Sequence, residues 1–203
     1  MKKDFVYLAS ASPRRVELLR QIGVPFEVWP ASIEETLAEG EAPEEYVRRL
    51  ATTKADKIWE EVEDDGLEPR PVLAADTAVV LDGRVLGKPE TPEEAEAMLE
   101  ALSGRTHRVL TAVALRCGKK TDTLVASSEV RFRATTPAER RAYCATDEPY
   151  DKAGGYGIQG LAAVFVEHLN GSYSAVVGLP LYETALLLER CGVAPWQAPK
   201  PAE

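Results

Sequence analysis

Val72-Leu73-Ala74-Ala75-Asp76-Thr77-Ala78-Val79-Val80-Leu81-Asp82-Gly83-Arg84-Val85-Leu86-Gly87 reads as a β-strand, a tight turn and a short return strand. An Asp-Gly pair between two apolar runs is a strong hairpin signal, because the favoured two-residue turn needs positive φ at both central positions. Side chains alternate across a strand, so Val72, Ala74, Asp76, Ala78 and Val80 share one face. That face is apolar except for the carboxylate at its middle. An unpaired buried charge is costly and is kept only with a partner. Asp76 is therefore either a structurally paired residue at a strand end or bulge, or a group retained for chemistry.

Outward from this hairpin, strands and helices alternate. Phe5 to Ala9 reads as a buried strand, followed by a helix that starts at Ser12-Pro13, carries Val16, Leu19 and Ile22, and ends at Gly23. A second helix is predicted from Pro43 past Trp59, with Val47, Leu50, Ala51 and Ile58 on one stripe, closed by the turn Glu63-Asp64-Asp65-Gly66. Beyond the hairpin come a helix over 92–102, strands over 107–116 and 124–133, and a helix over 137–145 capped by Thr136. Ala153-Gly154-Gly155-Tyr156-Gly157 reads as a glycine-rich loop, 162–167 as a strand, Asn170-Gly171 as a turn and 180–191 as the last helix. Residues 1–194 are expected to form one domain, and the proline-rich stretch 195–203 a frayed tail.

At 203 residues the chain can build one sizeable core, or two small lobes around a cleft, but hardly two independent domains. Its 45% hydrophobic and 28% charged residues are those of a folded globular protein. With 24 Lys and Arg against 33 Asp and Glu, the net charge of −9 opposes general attraction to a nucleic-acid polymer or an anionic membrane, while a few basic residues in one cleft can still hold a small polyanion. Cys117, Cys144 and Cys191 are odd in number and lack metal-ligand spacing, so the expectation is no disulfide framework, no zinc site and a reducing, cytoplasmic setting. No stretch approaches the apolar length needed to span a bilayer.

Other charged residues stand where a core pattern predicts apolar ones. Lys54 falls seven residues after Val47 and four before Ile58, on the inward stripe of the second helix, where it either snorkels to water or meets a partner. Arg14 and Arg15 occupy a helix first turn, where positive charge opposes the macrodipole unless an anion binds there. A strand, a Ser-x-Ser-Pro turn and paired arginines resemble a phosphate cradle, although solvated arginines fit the local pattern too. Lys88 sits between Gly87 and Pro89 in a rigid turn, and Glu34 and Glu35 form an acidic pair; both admit a plain solvated reading. His107 and His168 receive no chemistry. There is no Gly-x-Ser-x-Gly elbow and no dinucleotide-binding glycine spacing.

Leu8-Ala9-Ser10-Ala11-Ser12-Pro13-Arg14-Arg15-Val16-Glu17-Leu18-Leu19, Ala75-Asp76-Thr77, Gly87-Lys88-Pro89, Leu102-Ser103-Gly104-Arg105-Thr106-His107, Asp151 to Gly160 and Val177-Gly178-Leu179-Pro180 together resemble, in family order, the Maf family of nucleoside triphosphate pyrophosphatases. The resemblance implies an α/β fold with a long central mixed sheet wrapped by helices, two lobes around a cleft, a homodimer and a divalent cation, magnesium or manganese. By position it makes Asp76 the general base or metal-binding carboxylate, Glu35 a second acidic group at the metal, and Ser10, Arg14, Arg15, Lys54 and Lys88 contacts to the triphosphate. Arg14, Thr77 and Gln159 match the dTTP and UTP branch, where the 7-methyl-GTP branch typically has Trp, Gln and Glu. A Gln amide can both donate to and accept from a uracil or thymine edge.

The reaction so implied is water attack on the α-phosphorus with pyrophosphate leaving. A nucleotide-binding regulator of cell division without turnover, and a 7-methyl-GTP pyrophosphatase, are the competing expectations.

Overall fold

The computed structural model describes residues 4–196. In chain order the elements are β1 (Val6–Leu8), α1 (Pro13–Gln21), β2 (Phe26–Val28), α2 (Pro43–Asp64), β3 (Val72–Leu81), β4 (Arg84–Leu86), α3 (Pro92–Leu102), β5 (Thr106–Cys117), β6 (Lys120–Phe132), α4 (Pro137–Cys144), β7 (Val166–Asn170), α5 (Tyr173–Val177) and α6 (Leu181–Cys191). The strands form a seven-stranded sheet in the order β2-β1-β3-β5-β6-β7, with β4 paired to β3. β1 runs parallel to both β2 and β3, whereas β4 and β7 are antiparallel to β3 and β6. Parallel neighbours require crossover connections, which α1 and α2 provide, so the mixed α/β class follows from the element order.

The chain divides into two compact units. The first contains the chain through Asp76, Thr111–Ala126 and the chain from Gly178 onward; the second contains Thr77–Leu110 and Ser127–Val177.

In the first unit, α2 buries Val47, Leu50, Ala51 and Ile58, as the stripe predicts, and buries Lys54 among them. Its first turn holds Glu44 and Glu45, which complement the positive end of the helix dipole. α1 begins with Pro13 at its first turn, but the side chain of Ser12 forms no capping bond. The Ser10 hydroxyl instead accepts from the Ser12 amide at 3.2 Å. β2 escaped the sequence reading because it is only three residues long and largely solvent-facing, which leaves no periodicity to detect. A disulfide joins Cys117 to Cys191, correcting the expectation of none. Sequence spacing is silent on which strand end lies beside which helix end, and a Cα separation of 6.2 Å is within bridging reach. Trp196 donates its amide to the carbonyl of Ile22 at 2.8 Å; the rest of the expected frayed tail, 197–203, lies outside the described residues.

In the second unit a core forms from Val79, Leu99, Leu102, Val130, Phe132, Tyr143, Tyr156 and Phe165 with smaller neighbours. Thr136 caps α4 in a reciprocal capping box with Glu139. The strand expected over 162–167 is corrected: Leu161–Phe165 is a 3-10 helix, and β7 starts only at Val166. Ala162 and Phe165 are the buried members of that helix, three residues apart, which is its repeat. A short unbroken apolar run does not distinguish the two periods.

Gly154 adopts φ +71°, and a Cβ there would stand 2.9–3.0 Å from the atoms of Val79. Its amide donates to the carbonyl of Gly87 at 2.9 Å. Left-handed backbone and overpacking each penalise a side chain at this position. Gly154→Ala is therefore expected to lower the free energy of unfolding by about 2–4 kcal/mol, measured by urea denaturation.

Candidate active site

The first unit gathers five of the expected residues. β3 delivers Asp76 from a strand that is buried along its length, so its carboxylate enters the interior whichever face it takes. α2 delivers Lys54, whose Nζ donates to Asp76 Oδ1 at 2.7 Å and to Glu35 Oε1 at 2.5 Å. The side chains of Lys54 and Asp76 are each 9% exposed, and that of Glu35 is 41% exposed. The ammonium is thus buried between two carboxylates, one internal and one facing water. The segment after β1 delivers Ser10, and α1 delivers Arg15. Arg15 Nη1 donates to Ser10 Oγ at 3.3 Å and Arg15 Nε to the carbonyl of Gly178 at 2.8 Å.

The acid-base properties follow from burial and neighbours. Burial raises the Asp76 pKa above the ordinary carboxylate value, and the Lys54 charge and hydrogen bond, followed by Arg15, reverse this only in part, while Glu35 adds to the rise. Burial likewise lowers the Arg15 pKa; Asp76 pulls it back up, and neighbouring Arg14 lowers it further. Asp76 therefore feels Lys54, Arg15 and Glu35 as one electrostatic group.

Glu35, and not Glu34, is the acidic residue of the pair that meets Lys54; Glu34 accepts instead from the Thr36 hydroxyl at 2.9 Å. Arg14 precedes Arg15 in the first turn of α1 and is half-buried. Thr77 follows Asp76 on β3 and begins the second unit. Lys88 and Gln159 belong to the second unit and are exposed. His107 is structural: it is buried, shares a 2.6 Å hydrogen bond with the Tyr156 hydroxyl, and has its pKa lowered by burial to about 4. His168 is exposed.

Sequence reading missed the residues that hold Glu35 in place. Tyr46 donates its hydroxyl to the carbonyl of Glu35 at 2.8 Å, Arg49 donates to the carbonyl of Thr36 at 3.0 Å, and Lys57 donates to the carbonyl of Ser32 at 2.5 Å. Arg49 also grips Glu41 with two bonds of 2.6 and 2.7 Å, which depress the Glu41 pKa to about 2. All three donors lie on α2, where polar residues outside the buried stripe give no signal in sequence.

Among the described residues no group of three or more His, Cys, Asp or Glu is placed to hold a metal ion, and no helix is long and apolar enough to cross a membrane. Asp76 and Glu35 are a pair of carboxylates converging on one point, the Lys54 ammonium. Magnesium suits such a pair, because it commonly takes one or two protein carboxylates together with substrate phosphates.

Fold and site together define an α/β protein with a buried Asp-Lys pair met by a solvent-facing Glu, and an Arg-Ser pair at the β1–α1 connection. The chain belongs to the Maf family: the family model described as Maf-like protein matches residues 5–191. A dTTP/UTP pyrophosphatase of Aromatoleum aromaticum is 52% identical over 196 residues, covering 92% of this chain and 95% of that protein. A dTTP/UTP pyrophosphatase of Nitrosospira multiformis is 51% identical over 200 residues, covering 95% and 97%. Among solved structures, the Staphylococcus aureus Ham1 protein aligns over 63% of this chain and 71% of its own, with a TM-score of 0.44 and 15% identity.

The cluster has a stability signature. A raised folded-state pKa for Asp76 contributes stability that is complete below the unfolded carboxyl value of 3.8 and is lost as pH rises through the folded value. Lys54→Met removes the partner that limits this loss. It is expected to destabilise the protein by about 3–5 kcal/mol at neutral pH, with the deficit shrinking as pH falls and Asp76 takes up its proton. Urea unfolding of both proteins across pH 4–8 checks it; a deficit independent of pH would contradict the assignment.

Proposed function

We propose that this chain hydrolyses nucleoside triphosphates, dTTP and UTP foremost, to the monophosphate and pyrophosphate. The observation that carries the reading is the buried contact between Asp76 and Lys54, shared with Glu35 and felt by Arg15. A raised carboxylate pKa makes Asp76 a stronger base than a solvated carboxylate, which suits it to taking a proton from water. Relatives that are half identical over nearly the whole chain and named dTTP/UTP pyrophosphatase support the same substrates.

In this mechanism Asp76 orients a water molecule and accepts its proton as the water oxygen bonds to the α-phosphorus. The bond from that phosphorus to the bridging oxygen breaks, and pyrophosphate leaves. Lys54 occupies Asp76 Oδ1, so Oδ2 is the oxygen that receives the proton. Arg15, with Ser10 beside it, neutralises phosphate charge from a guanidinium already fixed by the Gly178 carbonyl, so little reorganisation is needed as the leaving group gains charge. On the family motifs, Arg14 and Lys88 add phosphate contacts, and Arg14, Thr77 and Gln159 select the pyrimidine. Asp76 and Glu35 are the residues that would hold a magnesium or manganese ion. Such an ion, when bound, supplies Lewis-acid stabilisation of phosphoryl charge.

Asp76→Asn preserves shape and removes the base, so kcat is expected to fall by about 10²–10⁴-fold while nucleotide binding survives. Pyrophosphate release from dTTP, UTP, CTP, GTP and 7-methyl-GTP, with or without magnesium or manganese, together with nucleotide binding by calorimetry, checks both parts. Wild-type turnover in the variant would refute the role of Asp76. Preference for 7-methyl-GTP would refute the substrate assignment, and tight binding without turnover by the unaltered protein would make it a regulator.

A further inference from the structure

In the second unit the segment after α4 is organised around one carboxylate. Glu148 Oε2 accepts from the amide of Leu161 at 2.7 Å and Oε1 from the amide of Ala162 at 3.2 Å, while the Tyr143 hydroxyl donates to Oε1 at 3.0 Å. Lys152 Nζ donates to the Glu148 carbonyl at 2.7 Å, so main chain and side chain of the same residue are both engaged. The fit leaves no spare room: a Cβ on Gly160 would stand 2.2 Å from Glu148 Oε2, and one on Gly157 2.8 Å from Lys152 Cε. At the other end of the segment, the 2.6 Å bond between Tyr156 and His107 fastens the chain to β5.

Between these anchors Gly157–Gly160 forms a turn, closed by the Gly160 amide donating to the Gly157 carbonyl at 3.1 Å. The turn presents Gln159. That residue is exposed, and its amide forms no hydrogen bond among the described residues. Main chain clamped on both sides and a side chain left open together describe a presented recognition group.

We infer that Glu148 is a positioning residue that fixes the 157–162 turn and thereby sets where the Gln159 amide meets the nucleobase. The inference rests on the reading of Gln159 as a pyrimidine-selecting residue. An amide can match a uracil edge with one donor and one acceptor only if its backbone is held, since a wandering turn spends the energy of those bonds on ordering itself. Glu148→Gln turns one acceptor oxygen into an NH2 group facing an N–H donor. Gly160→Ala pushes on the same carboxylate from the turn side, at a negative φ of −104°.

The test measures kcat and KM for UTP and GTP in Gln159→Ala, Glu148→Gln and Gly160→Ala, with thermal unfolding as the check on folding. Gln159→Ala is expected to raise KM for UTP about tenfold and to leave GTP, which gains nothing from that amide, unchanged. Glu148→Gln and Gly160→Ala are expected to reproduce this loss of UTP preference with kcat nearly intact. If Glu148→Gln does not fold, Gly160→Ala decides. Should Gln159→Ala erode the preference while both clamp variants keep it, or lower both nucleotides alike, the positioning role of Glu148 is overturned and the reading of Gln159 stands. Unchanged preference in Gln159→Ala overturns both.

Discussion

The Lys54 ammonium, taken out of water between Asp76 and Glu35, is the constraint around which the first unit is built. An ammonium on the inward stripe of a helix is tolerable only if carboxylates meet it, and a carboxylate on a fully buried strand is tolerable only if a cation meets it. Each charge thus justifies the other. Glu35 changes the balance from neutral to net negative and opens the group to solvent, since it is the exposed member of the three. The cluster is consequently both anchored and accessible, a combination that a purely structural ion pair would not need.

The arginine at the β1–α1 connection is prepared in a different way. Its guanidinium is fixed by the Gly178 carbonyl and the Ser10 hydroxyl, so the direction of its charge is set by the fold. An arginine already fixed in place needs little reorganisation to meet an incoming anion. The Ser10 hydroxyl serves this purpose twice, accepting from Arg15 and from the Ser12 amide, and thereby couples the side chain to the start of α1.

What could be read in the sequence was whatever broke a pattern. Asp76 interrupts an apolar strand, Lys54 interrupts an apolar helical stripe, and paired arginines oppose a helix dipole; each anomaly was visible without coordinates. The family motifs then aligned them, and the hairpin at Asp82-Gly83, the stripe of α2 and the cap at Thr136 formed as their local chemistry dictates. What stayed hidden conforms to expectation locally. Tyr46, Arg49 and Lys57 are ordinary polar residues on a helix surface, and Glu148 is an ordinary acid near a proline. Their roles come from main-chain carbonyls and amides brought beside them by distant segments. The Cys117–Cys191 bond and the 3-10 helix at Leu161–Phe165 were missed for related reasons: one depends on spatial neighbours, the other on a period that five apolar residues cannot reveal.

The struts to the Ser32, Glu35 and Thr36 carbonyls grow from the same helix that bears Lys54. Glu35 is therefore braced from the helix that carries its ammonium partner, so the Lys54–Glu35 contact closes within one helix and the segment that helix supports, whereas the Lys54–Asp76 contact ties that helix to a strand.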